Sequence, residues 1–229
     1  MAEPARAVKP GPGQANPIEV ELKFLATGSA PLRRLARRRR LGPARLGPPE
    51  TVDEVDRYLD TDDGRLATAR WACRLRTRGD RVIVSLKGPP EAARSPAGLH
   101  RRPEVEGPAR ASLDPLSWPA SAARGLLLEL SGGGRLAERL ALHQRRTERA
   151  VLVGDARVGE LSLDRVVVTR GRERGGTLWT AELELVADSV ADLGLIDALR
   201  NALAKLSGLA ADRLTKLEHA EAMLRHAGS

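Results

Sequence analysis

The chain has 229 residues and is 41% hydrophobic, enough for one packed domain, which excludes wholesale disorder. Its formal charge of +8 favours a polyanionic partner such as nucleic acid, an acidic surface or a phosphorylated small molecule. Aromatic residues make up only 2%, too few for the stacking platforms of a single-strand nucleic-acid reader, so the composition points to phosphate binding without base stacking.

Residues 1–17 carry four prolines and read as a disordered leader. They lack the apolar stretch of a signal peptide. The first strand is expected over 18–25, with Ile18, Val20, Leu22 and Phe24 on one face and Glu19, Glu21 and Lys23 on the other. A short basic helix follows over 31–41, Pro31 suiting its first turn, and then a Gly/Pro-rich loop from 42 to 49. Strands are expected over 52–59, 71–78 and 81–87, the last two joined by a Gly79-Asp80 turn. Gly88-Pro89-Pro90 ends that run, and a further strand fits 99–106. Residues 107–140 read as helical and loop-rich, broken at Gly132-Gly133-Gly134. Strands return over 143–153, 157–168 and 178–186. Two helices close the chain, near 189–207 and 212–226. In the first, Leu193, Ile196, Leu199, Leu203 and Leu206 recur at helical spacing. One cysteine, Cys73, excludes an intramolecular disulfide. No apolar run approaches the roughly 18 residues of a membrane span, so a cytoplasmic location and no membrane partner are expected.

The charged face of the first strand is not isolated. Glu182 and Glu184 alternate with Leu183 and Leu185, and Arg102, Glu104 and Glu106 alternate with Pro103 and Val105. Arg74 and Arg76 flank Leu75, Lys87 ends the 82–87 strand, and Asp164 follows Leu163. If the apolar faces pack outward on helices, the charged faces point inward, as in a sheet closed into a barrel with a polar lumen. Carboxylates crowded in such a lumen need cations, and the lysines and arginines need anions. A metal-bound polyphosphate supplies both: carboxylate oxygens suit Mg²⁺ or Mn²⁺, and arginine forks and lysine point charges suit phosphate oxygens.

The residues resemble a known family. The opening Glu19-x-Glu21-x-Lys23 looks like the signature of the CYTH proteins, the triphosphate tunnel metalloenzymes, which include class IV adenylate cyclases, thiamine triphosphatases and inorganic triphosphatases. Arg57-Tyr58-Leu59-Asp60-Thr61 looks like the family's Y-x-D-T strand end, and Arg74-Leu75-Arg76 and Leu86-Lys87-Gly88 match its L-R-x-R and L-K-G. The segment from Gly98 to Glu106 resembles its R-x-E-x-E strand. Arg145-Arg146-Thr147, Leu163-Asp164 and Glu182-Leu183-Glu184-Leu185 are similar to later strands, and Thr215-Lys216 to the late Ser-Lys. Glu218 and His219 stand where the family commonly has an arginine.

The resemblance implies an α+β fold, a closed eight-stranded antiparallel β-barrel with helices packed outside, formed by a single domain over 18–226. It implies Glu19, Glu21, Glu182, Glu184 and Asp164 as metal ligands. Lys23, Glu104 and Glu106 are the expected catalytic group, the two glutamates ligating metal or placing a water. Lys23, Arg74, Arg76, Lys87, Arg102, Arg145, Arg146 and Lys216 would grip phosphate, although Arg145 and Arg146 are adjacent and only one can point inward in a regular strand. The implied activity is metal-dependent hydrolysis of a triphosphate; because the recognised residues are almost all charged and aromatics are scarce, inorganic tripolyphosphate is expected first. The alternatives are cyclisation of ATP, hydrolysis of thiamine or nucleoside triphosphates, and non-catalytic polyphosphate binding.

The arginine run at 33–34 and 37–40 reads as a solvated helix face, with no specific nucleic-acid partner expected. His100, His143, His219 and His226 show no metal-ligand spacing. Ser131-Gly132-Gly133-Gly134-Arg135 lacks the Gly-Lys-Ser/Thr of a phosphate loop.

Overall fold

The computed structural model describes residues 18–90, 96–186, 189–190 and 192–227; the leader expected over 1–17 lies outside them. In chain order the elements begin with β1 (Ile18–Ala26), α1 (Ser29–Ala36), β2 (Arg40–Leu41), β3 (Ala44–Leu46), β4 (Glu50–Thr61) and α2 (Arg65–Thr68). Then come β5 (Ala72–Arg78), β6 (Arg81–Lys87), β7 (Leu99–Pro108), α3 (Ala122–Ser131) and β8 (Leu136–Val153). The chain continues through β9 (Ala156–Arg170), β10 (Glu173–Leu185), α4 (Leu193–Ala204), β11 (Leu209–Ala211) and α5 (Lys216–Ala227).

Eight of the strands form a continuous antiparallel ladder in the order β8-β4-β5-β6-β7-β1-β10-β9, and β9 pairs back onto β8. That last pairing closes the sheet into the expected barrel and leaves it no free edge. Period-two alternation then decides which side chains meet water in the lumen and which meet helices outside. On the outer side, Val20, Leu22 and Phe24 of β1 and Leu161, Leu163, Leu183 and Leu185 of β9 and β10 pack under α1 and α4. A second outer core joins Cys73, Leu75, Val84, Leu86 and Val105 to α2 and α3, with Trp118 buried among them. Among the described residues no helix is long and apolar enough to cross a membrane.

The third apolar cluster is different in kind. Leu142, Val166, Val168 and Leu178 lie on the same inward-facing ladder positions as the charged residues, but toward one end of the barrel. There they pack with Tyr58 and with Ala220 and Leu224 of α5. One stretch of the interior is thus filled by a helix, and the remaining stretch is polar.

The strands at 71–78, 81–87 and 99–106 fall where alternation puts them. The basic helix expected over 31–41 stops at Ala36, because the chain turns at Gly42 (φ 55°) into the β2–β3 hairpin. A Cβ at Gly42 would sit 3.2 Å from the Ala202 methyl of α4, so glycine serves both the turn and the close approach. The region expected to be helical over 107–140 keeps only α3 as α-helix. Ser121 caps that helix by accepting from the Arg124 amide at 3.1 Å, and Gly132 ends it in the left-handed conformation. Beyond it, residues from Leu136 onward are drawn into β8 by pairing with β4, from Thr61↔Leu136 to Glu50↔Glu148. This is tertiary pairing overriding a weak local signal.

Leu75 is fully buried between two lumen arginines. Leu75→Ala is expected to lower the unfolding free energy by about 2–5 kcal/mol, read from urea denaturation, without changing which side chains face the lumen.

Candidate active site

The ladder registers stack the inward-facing charges in layers. On β1 they are Glu19, Glu21 and Lys23, with Glu21 opposite Glu184 and Lys23 opposite Glu182 on β10. Glu19 lies opposite Arg102 on β7. Across β6 and β7, Lys87 faces Glu104 and Ser85 faces Glu106. On β4 and β5, Arg76 faces Asp56 and Arg74 faces Tyr58.

Nearly every one of these groups is ion-paired. Lys87 Nζ lies 2.7 Å from Glu19 and 2.9 Å from Glu104. Arg102 bridges Glu19 at 2.9 Å and Glu21 at 3.0 Å, and Lys23 sits 2.9 Å from Glu21. Arg76 forks onto Asp56 at 2.6 and 2.7 Å, and Gln144 donates to the same carboxylate at 2.7 Å. Arg146 forks onto Asp164 at 2.8 and 2.9 Å. Lys216, at the start of α5, reaches Asp164 at 2.6 Å and Glu182 at 2.7 Å. A capping box holds that lysine in place: Thr215 N donates to Glu218 Oε2 at 2.7 Å, and Glu218 N donates to Thr215 Oγ1 at 3.2 Å. Glu218 therefore has a structural use, as part of the cap of α5.

Electrostatics divides the carboxylates into two groups. Burial pushes Glu19, Glu182, Asp164 and Asp56 upward, but adjacent lysines and arginines outweigh it and hold all four below the usual carboxylate range. Glu104 and Glu184 go the other way. Burial, reinforced by the negative charge of Glu19, pushes each up to about 7. Burial opposes the charge of Lys23, yet Glu21 and Glu182 keep it above its ordinary value.

These residues enclose a cavity of about 460 Å³. Every site residue expected from sequence lines it except two. Arg145 is exposed on the outer face of β8, its neighbour Arg146 having taken the inward position, so the expectation that it grips phosphate is corrected. Asp164 faces inward but is fully buried beneath Arg146 and Lys216, which take up both its oxygens. In this geometry it positions those two cations. Sequence reasoning missed Glu54, Asp56 and Gln144. On β4 charged residues occupy both faces, Asp53 and Arg57 outside and Glu54 and Asp56 inside, so alternation gave no signal there. It also missed Trp71, a half-buried ring lining the cavity against Gly88, whose added Cβ would meet the indole at 3.1 Å.

Among the described residues no three carboxylate, imidazole or thiol groups converge as a ready-made metal cluster; the carboxylates are turned to lysines and arginines instead. The donor chemistry nonetheless fits a hard divalent cation. Glu19, Glu21, Glu182 and Glu184 offer only carboxylate oxygen, and the crowding of negative charge that adds to burial at Glu104 and Glu184 is what a cation would relieve.

That crowding has a pH signature in metal-free protein. A carboxyl whose folded value is raised from 4.5 to about 7 contributes stability that is complete below pH 4.5 and is lost as pH rises through 7. Between pH 5 and 8, in the presence of a chelator, the melting temperature of Glu104→Gln/Glu184→Gln is expected to fall less than that of the wild type. A parallel fall in both proteins would refute the assignment.

The sequence profile of the CYTH domain matches residues 17–220. Among solved structures, HpAC1 from Hippeastrum, assigned as an adenylyl cyclase and described as having a dominant triphosphatase activity, is similar with a TM-score of 0.62 at 20% identity. The match covers 89% of this chain and 95% of that one. A protein from Bacillus halodurans assigned as an adenylate cyclase gives a TM-score of 0.54 at 19% identity, covering 88% and 97% of the two chains. PH1819 from Pyrococcus horikoshii gives 0.52 at 20% identity, covering 89% and 98%. No curated protein sequence matches significantly. At these identities the structural likeness establishes the fold. The profile match spans most of the chain and agrees with the closed barrel and its charged lumen: the chain belongs to the CYTH domain family.

Proposed function

We propose that this protein hydrolyses a phosphoanhydride bond of a triphosphate bound with divalent cations in the tunnel, and that inorganic tripolyphosphate is its preferred substrate. The observation that carries the reading is the composition of the cavity wall. Eight lysines and arginines and nine glutamates line it, so the wall is close to neutral. A triphosphate entering alone would leave a large excess of negative charge. Entering with divalent cations, it gives the carboxylates and the basic side chains partners of opposite sign.

Glu19, Glu21, Glu182 and Glu184 would hold Mg²⁺ or Mn²⁺, which as a Lewis acid would offset charge on the phosphate oxygens. The remaining chemistry belongs to the chain. Arg74, Arg76, Arg102 and Arg146 present planar forks to phosphate oxygens, and Lys23, Lys87 and Lys216 present point charges. Each is already desolvated and held by a carboxylate in the free protein, so little reorganisation accompanies the exchange of that partner for phosphate. Glu104 and Glu106, on the wall beside Arg102, would orient the attacking water for in-line displacement. Asp164, from behind, keeps Arg146 and Lys216 directed at the cavity.

Trp71 favours a second reading. It offers a ring face in the same cavity as Arg70 and Pro90, where a nucleobase or thiamine ring of an organic triphosphate would find stacking. The two readings separate in one competition assay. With Mg²⁺ or Mn²⁺, tripolyphosphate is expected to release orthophosphate faster than ATP or thiamine triphosphate, with little cyclic AMP. Cyclic AMP formed at a comparable rate would make the protein a cyclase and overturn the assignment.

Glu19→Gln/Glu21→Gln is expected to abolish turnover while the barrel remains folded by circular dichroism. Activity within about tenfold of wild type, some 1.4 kcal/mol of barrier, would remove both residues from the metal site.

A further inference from the structure

The arginine run that the tunnel leaves unused is confined to α1 and the β2–β3 hairpin that follows it. Arg33 and Arg34 sit on α1 and Arg37 at its end; Arg38 to Arg40 lead into the β2–β3 hairpin, and Arg45 returns along it. All seven are exposed. Among the described residues none of them pairs with a carboxylate, in contrast to the arginines of the lumen. Three make polar contacts to uncharged acceptors: Arg33 to Ser29 Oγ at 2.6 Å, Arg34 to the Ser207 carbonyl at 2.7 Å and Arg40 to the Pro43 carbonyl at 2.8 Å.

Their arrangement works against the local fold. Arg40 and Arg45 stand directly opposite each other across the hairpin, where like charges destabilise a strand pair. Arg33 and Arg37 are one helical turn apart, again an unfavourable spacing for like charges. The helix dipole accounts for cations in the last turn of α1 but not for those on the hairpin.

The backbone beneath is nevertheless fixed. Buried Arg149 donates to the carbonyls of Gly47 at 2.7 Å, Leu46 at 3.2 Å, Ala36 at 2.7 Å and Arg38 at 2.6 Å, tying the end of α1 to both sides of the hairpin. Beside it, Arg38 and Lys205 face a shared shallow groove of about 520 Å³ floored by Ala198 and Ala202 of α4, which extends the basic surface by one more cation. No aromatic residue occurs in residues 29–49 or in the groove, so the surface offers no ring for a base to stack on.

We propose that this face, separate from the tunnel, is a docking surface for a linear inorganic polyphosphate chain, gripped by arginines through phosphate oxygens alone. The proposal stands whether or not the tunnel hydrolyses tripolyphosphate. Its test is fluorescence anisotropy of labelled long-chain polyphosphate on the full chain, with chelator present to stop turnover. Arg39→Gln/Arg40→Gln/Arg45→Gln is expected to bind at least about tenfold more weakly. Its dependence of log affinity on log salt should be shallower by about two, for three lost phosphate contacts. Tripolyphosphate turnover should be unchanged, and lysine at the same three positions should retain binding. Three results would overturn the proposal: an unchanged polyphosphate affinity in the glutamine variant; tighter binding of single-stranded RNA than of polyphosphate at equal phosphate concentration; or complete displacement of polyphosphate by saturating tripolyphosphate, which would place the chain in the tunnel.

Discussion

Closing the sheet forces a choice on every strand: one face must look into the barrel, and here it is the charged one. Moving a carboxylate or ammonium out of water costs several kcal/mol even after the protein relaxes. The lumen tolerates it because most of its charges touch a neighbour of opposite sign. Arg102 is shared by Glu19 and Glu21, Lys87 by Glu19 and Glu104, and Lys216 by Asp164 and Glu182. Such a lattice is poor stabilisation compared with packed apolar side chains. The stability of the fold therefore has to come from elsewhere, and the outer cores under α1, α4, α2 and α3 supply it. Structure and chemistry are thereby divided between the two faces of the same strands.

The helix α5 connects the two. Its apolar residues fill the end of the barrel where the inward positions are Leu142, Val166, Val168 and Leu178. Its first turn stands at the boundary with the polar half. The Thr215–Glu218 capping box fixes that turn, and Lys216 projects from it onto Asp164 and Glu182. A lysine at a helix start lies at the unfavourable end of the helix dipole; two carboxylates offset that. The cation is held in the lumen by the same contacts that seat the helix.

Much of this was legible in the sequence because alternation is a strong signal where the two faces differ completely. In 18–25, 71–78, 81–87 and 99–106 one face is mainly apolar and the other mainly polar or charged, and strand, facing and site residue all follow. The signal fails where both faces are mixed. On β4, charges at Asp53, Glu54, Asp56 and Arg57 hide which pair is interior, and only the pairing with β5 and β8 decides it. It fails again before residue 143, where β8 begins seven residues earlier than its pattern suggests, because hydrogen bonds to β4 recruit it. The family resemblance could not separate Arg145 from Arg146, nor show that Asp164 lies beneath two cations. Those are matters of register and depth. Scarcity of aromatics hid Trp71, since a composition says nothing about where a single ring is put.

The net charge misleads in an instructive way. A formal +8 points to phosphate binding, and the tunnel is the obvious place to look for it, yet the tunnel wall is close to neutral. The seven arginines of 33–45 without carboxylate partners account for most of the excess, and they lie outside the barrel. The two basic surfaces thus differ physically. Inside, each cation is desolvated and partnered, so its attraction for phosphate is short-ranged, weakly screened and selective for geometry. Outside, the cations are solvated and without carboxylate partners, so their attraction is long-ranged at low salt, readily screened and indifferent to the shape of what it holds. Net charge reports on the second surface, and the alternating pattern of opposite charges reports on the first.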